Sequence, residues 1–148
     1  LVLSRDGVTV SAIRNQHPPL VDTFALSFKT DEVHVVFSGD TAPIKALENF
    51  ARGADLLIHE AMLESALPAL LERVGNGSDK LMAHLLKSHT FAHEAAMTAA
   101  NAGAKRLALT HLIPSDDPAY DEKDWQEACA GHYNGELIVG HDAIRIEL

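Results

Sequence analysis

The chain has 148 residues, 47% of them apolar and 22% charged, enough for one soluble domain with a core of its own. Twelve basic against 21 acidic residues give a formal charge of −9, which disfavours extensive nucleic-acid binding, because an acidic surface repels phosphate backbones. No apolar run approaches the roughly 20 residues that span a bilayer, and the single cysteine, Cys129, excludes an internal disulfide and a thiolate zinc cluster. Compartment, cytoplasmic or periplasmic, stays open.

The first predicted element is a strand over Gly7 to Ile13, where apolar and polar residues alternate. Asn15 to Pro19 is a loop. Thr23 to Phe28 and Val33 to Phe37 read as two strands of a hairpin around Lys29-Thr30-Asp31-Glu32. Ser38-Gly39-Asp40-Thr41 follows, and Pro43 is placed in the first turn of a helix that presents Ile44, Leu47, Phe50 and Ala51 on one face and stops at Gly53. Asp55 to His59 is a short apolar run typical of a buried parallel strand. A helix is predicted over Ala61 to Val74, a break over Gly75 to Ser78, and a short helix over Leu81 to Lys87.

Ser88-His89-Thr90 precedes an alanine-rich helix, Ala92 to Ala102, closed by Gly103. Leu107 to Thr110 is a further buried strand with His111 at its end. Pro114 to Pro118 is a loop, Glu122 to Ala130 an exposed helix with Cys129 as a small buried filler, and Leu137 to Val139 with Ala143 to Leu148 a closing pair of strands. The class is α/β with a mixed sheet in a single domain over residues 1–148. The chain opens at Leu1 on strand-like sequence, so its true N-terminus is expected to lie upstream.

Nine histidines against twelve Lys and Arg raise the question of a metal. Three apolar strands run directly into metal-capable or acid/base residues: Asp40 after VHVVFSG, His59 and Glu60 after DLLI, and His111 after LALT. Loops at the carboxyl ends of such strands converge on one crevice. His17 and His89 lie in loops that can join them. Each residue also has a plainer reading: Asp40 as a helix N-cap, His59 as a hydrogen-bonded core residue, Glu60 and His89 as helix-start residues, His17 as a surface loop residue. His34, His84, His93, His132 and His141 lack a strand-end setting and read as structural or surface positions.

Taken together, RNQHPPLVDTFALSF, VVFSGDTAP, GADLLIHEAML, LLKSHTFAHEAA and RLALTHLIPSD resemble, in order, the C-terminal half of the metallo-β-lactamase superfamily, in the branch of ribonuclease Z and the arylsulfatase-like hydrolases. The closing GELIVGHDAIRIEL fits the same pattern. The resemblance implies half of an αββα sandwich and a metal-dependent hydrolase. Two divalent metal ions are implied, zinc first, with manganese or iron compatible, holding a hydroxide that attacks an ester-type bond. His17, Asp40 and His111 match metal ligands, Asp40 being the carboxylate shared by both ions. His89 matches a proton donor to the leaving group, and Glu60 the residue that orients it.

The family's His-x-His-x-Asp-His motif is absent and belongs to an N-terminal half, the implied partner of this chain. Only a hairpin separates His17 from Asp40, leaving no room for ribonuclease Z's tRNA-grasping arm. With the acidic balance this favours a small-molecule ester-type substrate; a homodimer is possible. One alternative is a non-catalytic scaffold of the same fold. A second, an unrelated doubly wound binding domain, should carry a glycine-rich phosphate loop after its first strand, and none is present.

Overall fold

The computed structural model describes residues 1–148. Seven strands form one sheet in sequence order: β1 (Leu3–Arg5), β2 (Val8–Arg14), β3 (Phe24–Lys29), β4 (His34–Phe37), β5 (Leu56–Met62), β6 (Arg106–Ile113) and β7 (Glu136–Val139). β1 to β4 pair antiparallel, β2 and β3 being joined by the loop of residues 15–23 and the other two pairs by short turns, and β4 to β7 pair parallel. Parallel neighbours need crossovers, and the helices supply them. α1 (Lys45–Phe50) links β4 to β5; α2 (Leu67–Val74), α3 (Ser78–Ser88) and α4 (Ala92–Ala102) link β5 to β6; α5 (Glu122–Cys129) links β6 to β7. No helix is long and apolar enough to cross a membrane.

The side chains of TFALSF alternate as the pleat requires. Ala25 and Ser27 are buried under the helices, whereas Phe24, Leu26 and Phe28 stay on the other face. The helix-side core joins Val36, Leu57, Leu107 and Leu109 of the sheet to Leu47 of α1, five alanines of α4 and Trp125 of α5. Alanine every three or four residues along α4 (Ala92, Ala95, Ala96, Ala99, Ala102) lets that helix lie close against the strands. Glu94 caps its start by accepting from the Phe91 amide, and Gly103 ends it at a φ of 64°.

The opposite sheet face has no helices. Phe24, Phe28 and Phe37 are 43%, 37% and 41% exposed there. Phe28 and Phe37, together with Val35, Leu56 and Ile58, floor a groove of about 1290 Å³. One layer of helices on one face of a mixed sheet is the arrangement expected for half of an αββα sandwich, in which a second sheet packs on the bare face.

Four boundaries depart from expectation. Ala61 and Met62 are not helical: they continue β5, opposite Leu112 and Ile113 of β6, and Met62 also bridges to Phe91. An apolar run has no period that separates buried strand from buried helix, and sheet pairing decides this one. Helix resumes as one 3-10 turn, Glu64–Ala66, and then as α2, with Pro68 in its first turn. α3 is longer than predicted, starting directly after Gly77. α1 starts at Lys45 with Ile44 as its cap residue, so Pro43 lies just outside it.

Residues 143–148 do not form a strand. β7 runs parallel to β6, and after it the chain turns, with Ile144 N–H donating to the His141 carbonyl and Ala143 at a φ of 63°. The tail then lays Ile144, Ile146 and Leu148 against the bare groove, held by Arg106 Nη1 donating to the Glu147 carbonyl at 2.6 Å. Apolar cover for that face outweighs ladder pairing at the edge. α5 is only half exposed, since Trp125 and Cys129 are buried beneath it.

Candidate metal and acid/base site

The carboxyl ends of β4, β5 and β6 share one rim of the sheet, and the polar residues that interrupt their apolar runs meet there. β4 ends in Ser38-Gly39-Asp40-Thr41. Gly39 has a φ of 59°, and a Cβ built on it would lie 2.7 Å from the Phe24 carbonyl oxygen and 2.9 Å from Asn15 Nδ2. Only glycine fits that close, left-handed turn. The turn aims Asp40 outward while Thr41 is fully buried. Asp40 does not cap α1, which begins five residues later with no side-chain cap.

Glu60, in β5, is 1% exposed and serves as the hub. Its backbone N–H donates to Ser38 Oγ at 3.0 Å. Its carboxylate accepts from the Thr41 N–H at 2.7 Å and faces His89 Nδ1 at 3.1 Å through both oxygens. A buried carboxylate with two donors in place is satisfied, which is why the strand tolerates it. Thr90 Oγ1 in turn donates to the Thr41 carbonyl, and the Gln16 N–H donates to Thr41 Oγ1 at 3.0 Å. The His17 loop, the Asp40 loop and the Ser88-His89-Thr90 segment are thereby tied together around Thr41.

His111 sits at a β-bulge. Glu60 pairs with Thr110 and Ala61 with Leu112, so His111 is the unpaired extra residue of β6, at a φ of 44°. A bulge re-aims a side chain at a strand end, and here it turns the imidazole towards Asp40, with Nε2 3.5 Å from Oδ2. His111 also stacks on His89 at 5.5 Å between centroids and 7° between planes. His17 lies edge-on to His89 at 4.9 Å, and its Nδ1 donates to the Ser88 carbonyl at 3.0 Å.

The five residues singled out in the sequence, His17, Asp40, Glu60, His89 and His111, are thus brought into one cluster. His59 is not part of it: it is fully buried, its Nδ1 donates to the Glu60 carbonyl at 2.7 Å, and burial pushes its pKa down to about 4. That is the core histidine of its plainer reading, although Nε2 has no partner. His34 is also structural, bonded through Nε2 to Ser27 Oγ at 2.9 Å. The sequence reading missed His84, on α3, whose ring lies 5.5 Å from His17 and 5.6 Å from His89. The available signal was its position one helical turn before Ser88 in the LMAHLLKSHT run.

The donor set suits a divalent ion. Nδ1 of His17 is engaged by a carbonyl, which leaves Nε2 as a lone pair, the arrangement usual for metal-ligating histidines. Asp40 and His111 are 41% and 49% exposed at their side chains and offer one oxygen and one nitrogen to the same space. Oxygen and imidazole nitrogen without thiolate fit zinc, manganese or iron. One nitrogen or oxygen from each of Glu60, His89 and His111 also lies within 4.8 Å of the others.

No protein-family model matches the chain. Among curated proteins it is similar to ribonuclease Z of Mycobacterium tuberculosis, 32% identical over 145 residues, covering 97% of this chain and 50% of that protein. Ribonuclease Z of Mycobacterium marinum is 29% identical over 147 residues, covering 99% of this chain and 50% of that one. Among solved structures, a metallo-β-lactamase fold protein of Bacillus subtilis aligns with a TM-score of 0.69 at 22% identity, over 93% of this chain and 49% of that chain. The short form of human tRNase Z aligns with a TM-score of 0.64 at 23% identity, over 99% of this chain and 44% of that chain. The chain spans about half the length of the relatives it matches, and the part it covers is their C-terminal half.

Proposed function

Because this chain belongs to the metallo-β-lactamase superfamily, in its ribonuclease Z branch, we propose that it is the C-terminal half of a metal-dependent phosphodiesterase acting on RNA. The observation that carries the reading is the meeting of His17, Asp40, His89 and His111 around the Glu60 hub, at the strand ends where the family resemblance expects them. This substrate class replaces two expectations, the absence of extensive nucleic-acid binding, read from the acidic balance, and the preference for small esters, read from that balance and from the short hairpin between His17 and Asp40. The relatives are named ribonucleases, and the formal charge of −9 is a sum over half a protein that says nothing of the field around one cleft.

In this reading Asp40, His17 and His111 would hold the divalent ions together with ligands from the upstream half. Such ions would supply a water nucleophilic at neutral pH and polarise the scissile phosphoryl group. His89 works on the leaving side. Its Nδ1 is fixed by Glu60, so Nε2 is the atom that hands a proton to the departing oxygen, and the carboxylate offsets the positive charge that the imidazole carries before transfer. The bare face of the sheet is where the upstream half packs, which also brings its ligands to the rim. Every C-terminal position is filled, which favours an enzyme over a scaffold of the same fold.

The test uses this chain together with the upstream half. Hydrolysis of a tRNA precursor and of small phosphodiesters and carboxylic esters is measured with zinc or manganese present and after chelation. Asp40→Ala should abolish metal-dependent cleavage and lower metal content. Retained cleavage in that variant ends the ligand assignment, and cleavage of small esters but not RNA ends the substrate assignment alone.

A further inference from the structure

Three consecutive residues between α3 and α4 each grip a different part of the rim. His89 meets the Glu60 carboxylate, and Thr90 Oγ1 donates to the carbonyl of Thr41, next to Asp40. Ser88, fully buried like Thr90, is turned to the remaining part, the loop that carries His17.

Ser88 holds that loop at two points. It is the last residue of α3, so its carbonyl has no partner within the helix and, being buried, needs a donor from elsewhere. His17 Nδ1 supplies one at 3.0 Å. One residue further along the loop, the Pro18 carbonyl accepts from Ser88 Oγ at 2.8 Å. That hydroxyl has a single hydrogen, so towards His84 Nδ1, 3.2 Å away, it accepts and His84 donates. His84 stands one turn earlier on α3, and its N–H thereby orients the Ser88 hydroxyl at the loop.

The two contacts do different things. The carbonyl fixes the proton of His17 on Nδ1 and leaves the lone pair on Nε2. It also carries the partial negative charge of a helix C-terminus, which makes the imidazole a stronger ligand. The hydroxyl fixes place. Before His17 the loop is tied to the Asp40 side, by the Gln16 N–H on Thr41 Oγ1 and the Ala42 N–H on the Gln16 carbonyl. After His17, Ser88 Oγ ties it to α3.

We propose that Ser88 is a positioning residue for His17: its carbonyl selects the imidazole tautomer, and its hydroxyl, oriented by His84, sets the loop. The inference rests on the hydrolytic reading, in which His17 would hold one ion and His89 serves the leaving group. Adjacent residues of one buried segment then keep the metal ligand and the proton donor in register, their rings 4.9 Å apart. Loss of the Ser88 hydroxyl leaves the Pro18 carbonyl without its donor and lets the His17 side of the site drift, while Asp40 and His111, held from β4 and β6, stay in place.

The experiment combines wild type, Ser88→Ala, Ser88→Thr and His84→Leu each with the upstream half. Zinc affinity is read ion by ion in competition with a chelator, circular dichroism verifies folding, and cleavage of a tRNA precursor is measured at low and at saturating zinc. Ser88→Ala should fold, weaken one bound ion about tenfold and leave the other within about twofold, with saturating zinc restoring kcat to within about threefold of wild type. Ser88→Thr keeps the hydroxyl and should bind like wild type, and His84→Leu should weaken the same ion by less than Ser88→Ala does. The proposal is overturned by wild-type affinity in Ser88→Ala, by equal weakening of both ions, by an unfolded Ser88→Ala, or by the same loss in Ser88→Thr. A loss in His84→Leu as large as in Ser88→Ala also overturns it, by making His84 a ligand itself. Each of these outcomes leaves the hydrolase reading standing, whereas a wild type that holds no zinc and cleaves nothing ends that reading and this one with it.

Discussion

Replacing Glu60 by Gln removes a charge from the hub while preserving its shape. The amide oxygen can keep the 2.7 Å bond from the Thr41 N–H, so the loop between β4 and α1 should hold. The new NH2 replaces one of the two oxygens that faced His89 Nδ1 at 3.1 Å and sets donor against donor there, while the other, now a neutral amide oxygen, is shared with Thr41. The charge-assisted part of the bond to His89 is lost. A hydrogen bond to a charged group contributes about 1.5–3 kcal/mol, and the part present only while the imidazole carries the transferring proton appears in the barrier. At about 1.4 kcal/mol per decade, kcat should fall roughly 10- to 150-fold with KM little changed.

The assay is steady-state RNA cleavage by wild type and Glu60→Gln, each reconstituted with its upstream half, with metal content measured on the same samples. A kcat within twofold of wild type at full metal content would refute the orienting role. Loss of metal equal to that in Asp40→Ala would refute it differently: it would make Glu60 a ligand with His89 and His111, whose ligand atoms lie within 4.8 Å of one another and of its own.

Two further perturbations reach the scaffold. Gly39→Ala forces a side chain into the left-handed turn and against the Phe24 carbonyl oxygen at 2.7 Å, so stability should drop by about 1–3 kcal/mol in urea denaturation and metal affinity at Asp40 should fall with it; an unchanged midpoint would contradict the close-approach argument. His59 resists protonation until about pH 4 in the folded chain, while the unfolded chain takes up that proton near 6.5. Acid therefore favours unfolding between those values: the contribution is complete above about pH 6.5 and is lost as pH falls, by about 2–3 kcal/mol at pH 4.5. Urea midpoints should decline less from pH 7 to 4.5 in His59→Gln than in wild type, and parallel declines would show that His59 is not the group responsible.

Much of this protein is written locally. Alternation in GVTVSAI and TFALSF marks strands, and the alanine face from Ala92 to Ala102, with Gly103 behind it, marks a helix and its end. The apolar runs that stop at Asp40, His59-Glu60 and His111 set ionisable groups at strand tips, where loops converge on one crevice, although His59 itself is a core residue. Only the tertiary structure decided the rest. Ala61 and Met62 belong to β5 because Leu112 and Ile113 lie beside them, and residues 143–148 leave the sheet because a bare apolar face lies within their reach. The bulge that turns His111 towards Asp40 exists only as a mismatch between two strands. His84 looks like any helical histidine until the end of α3 sets it beside His17, 67 positions away in the chain. Periodicity records which side chains avoid water; which partner covers them, and which polar atoms meet as a result, depends on contacts between segments far apart along the polypeptide.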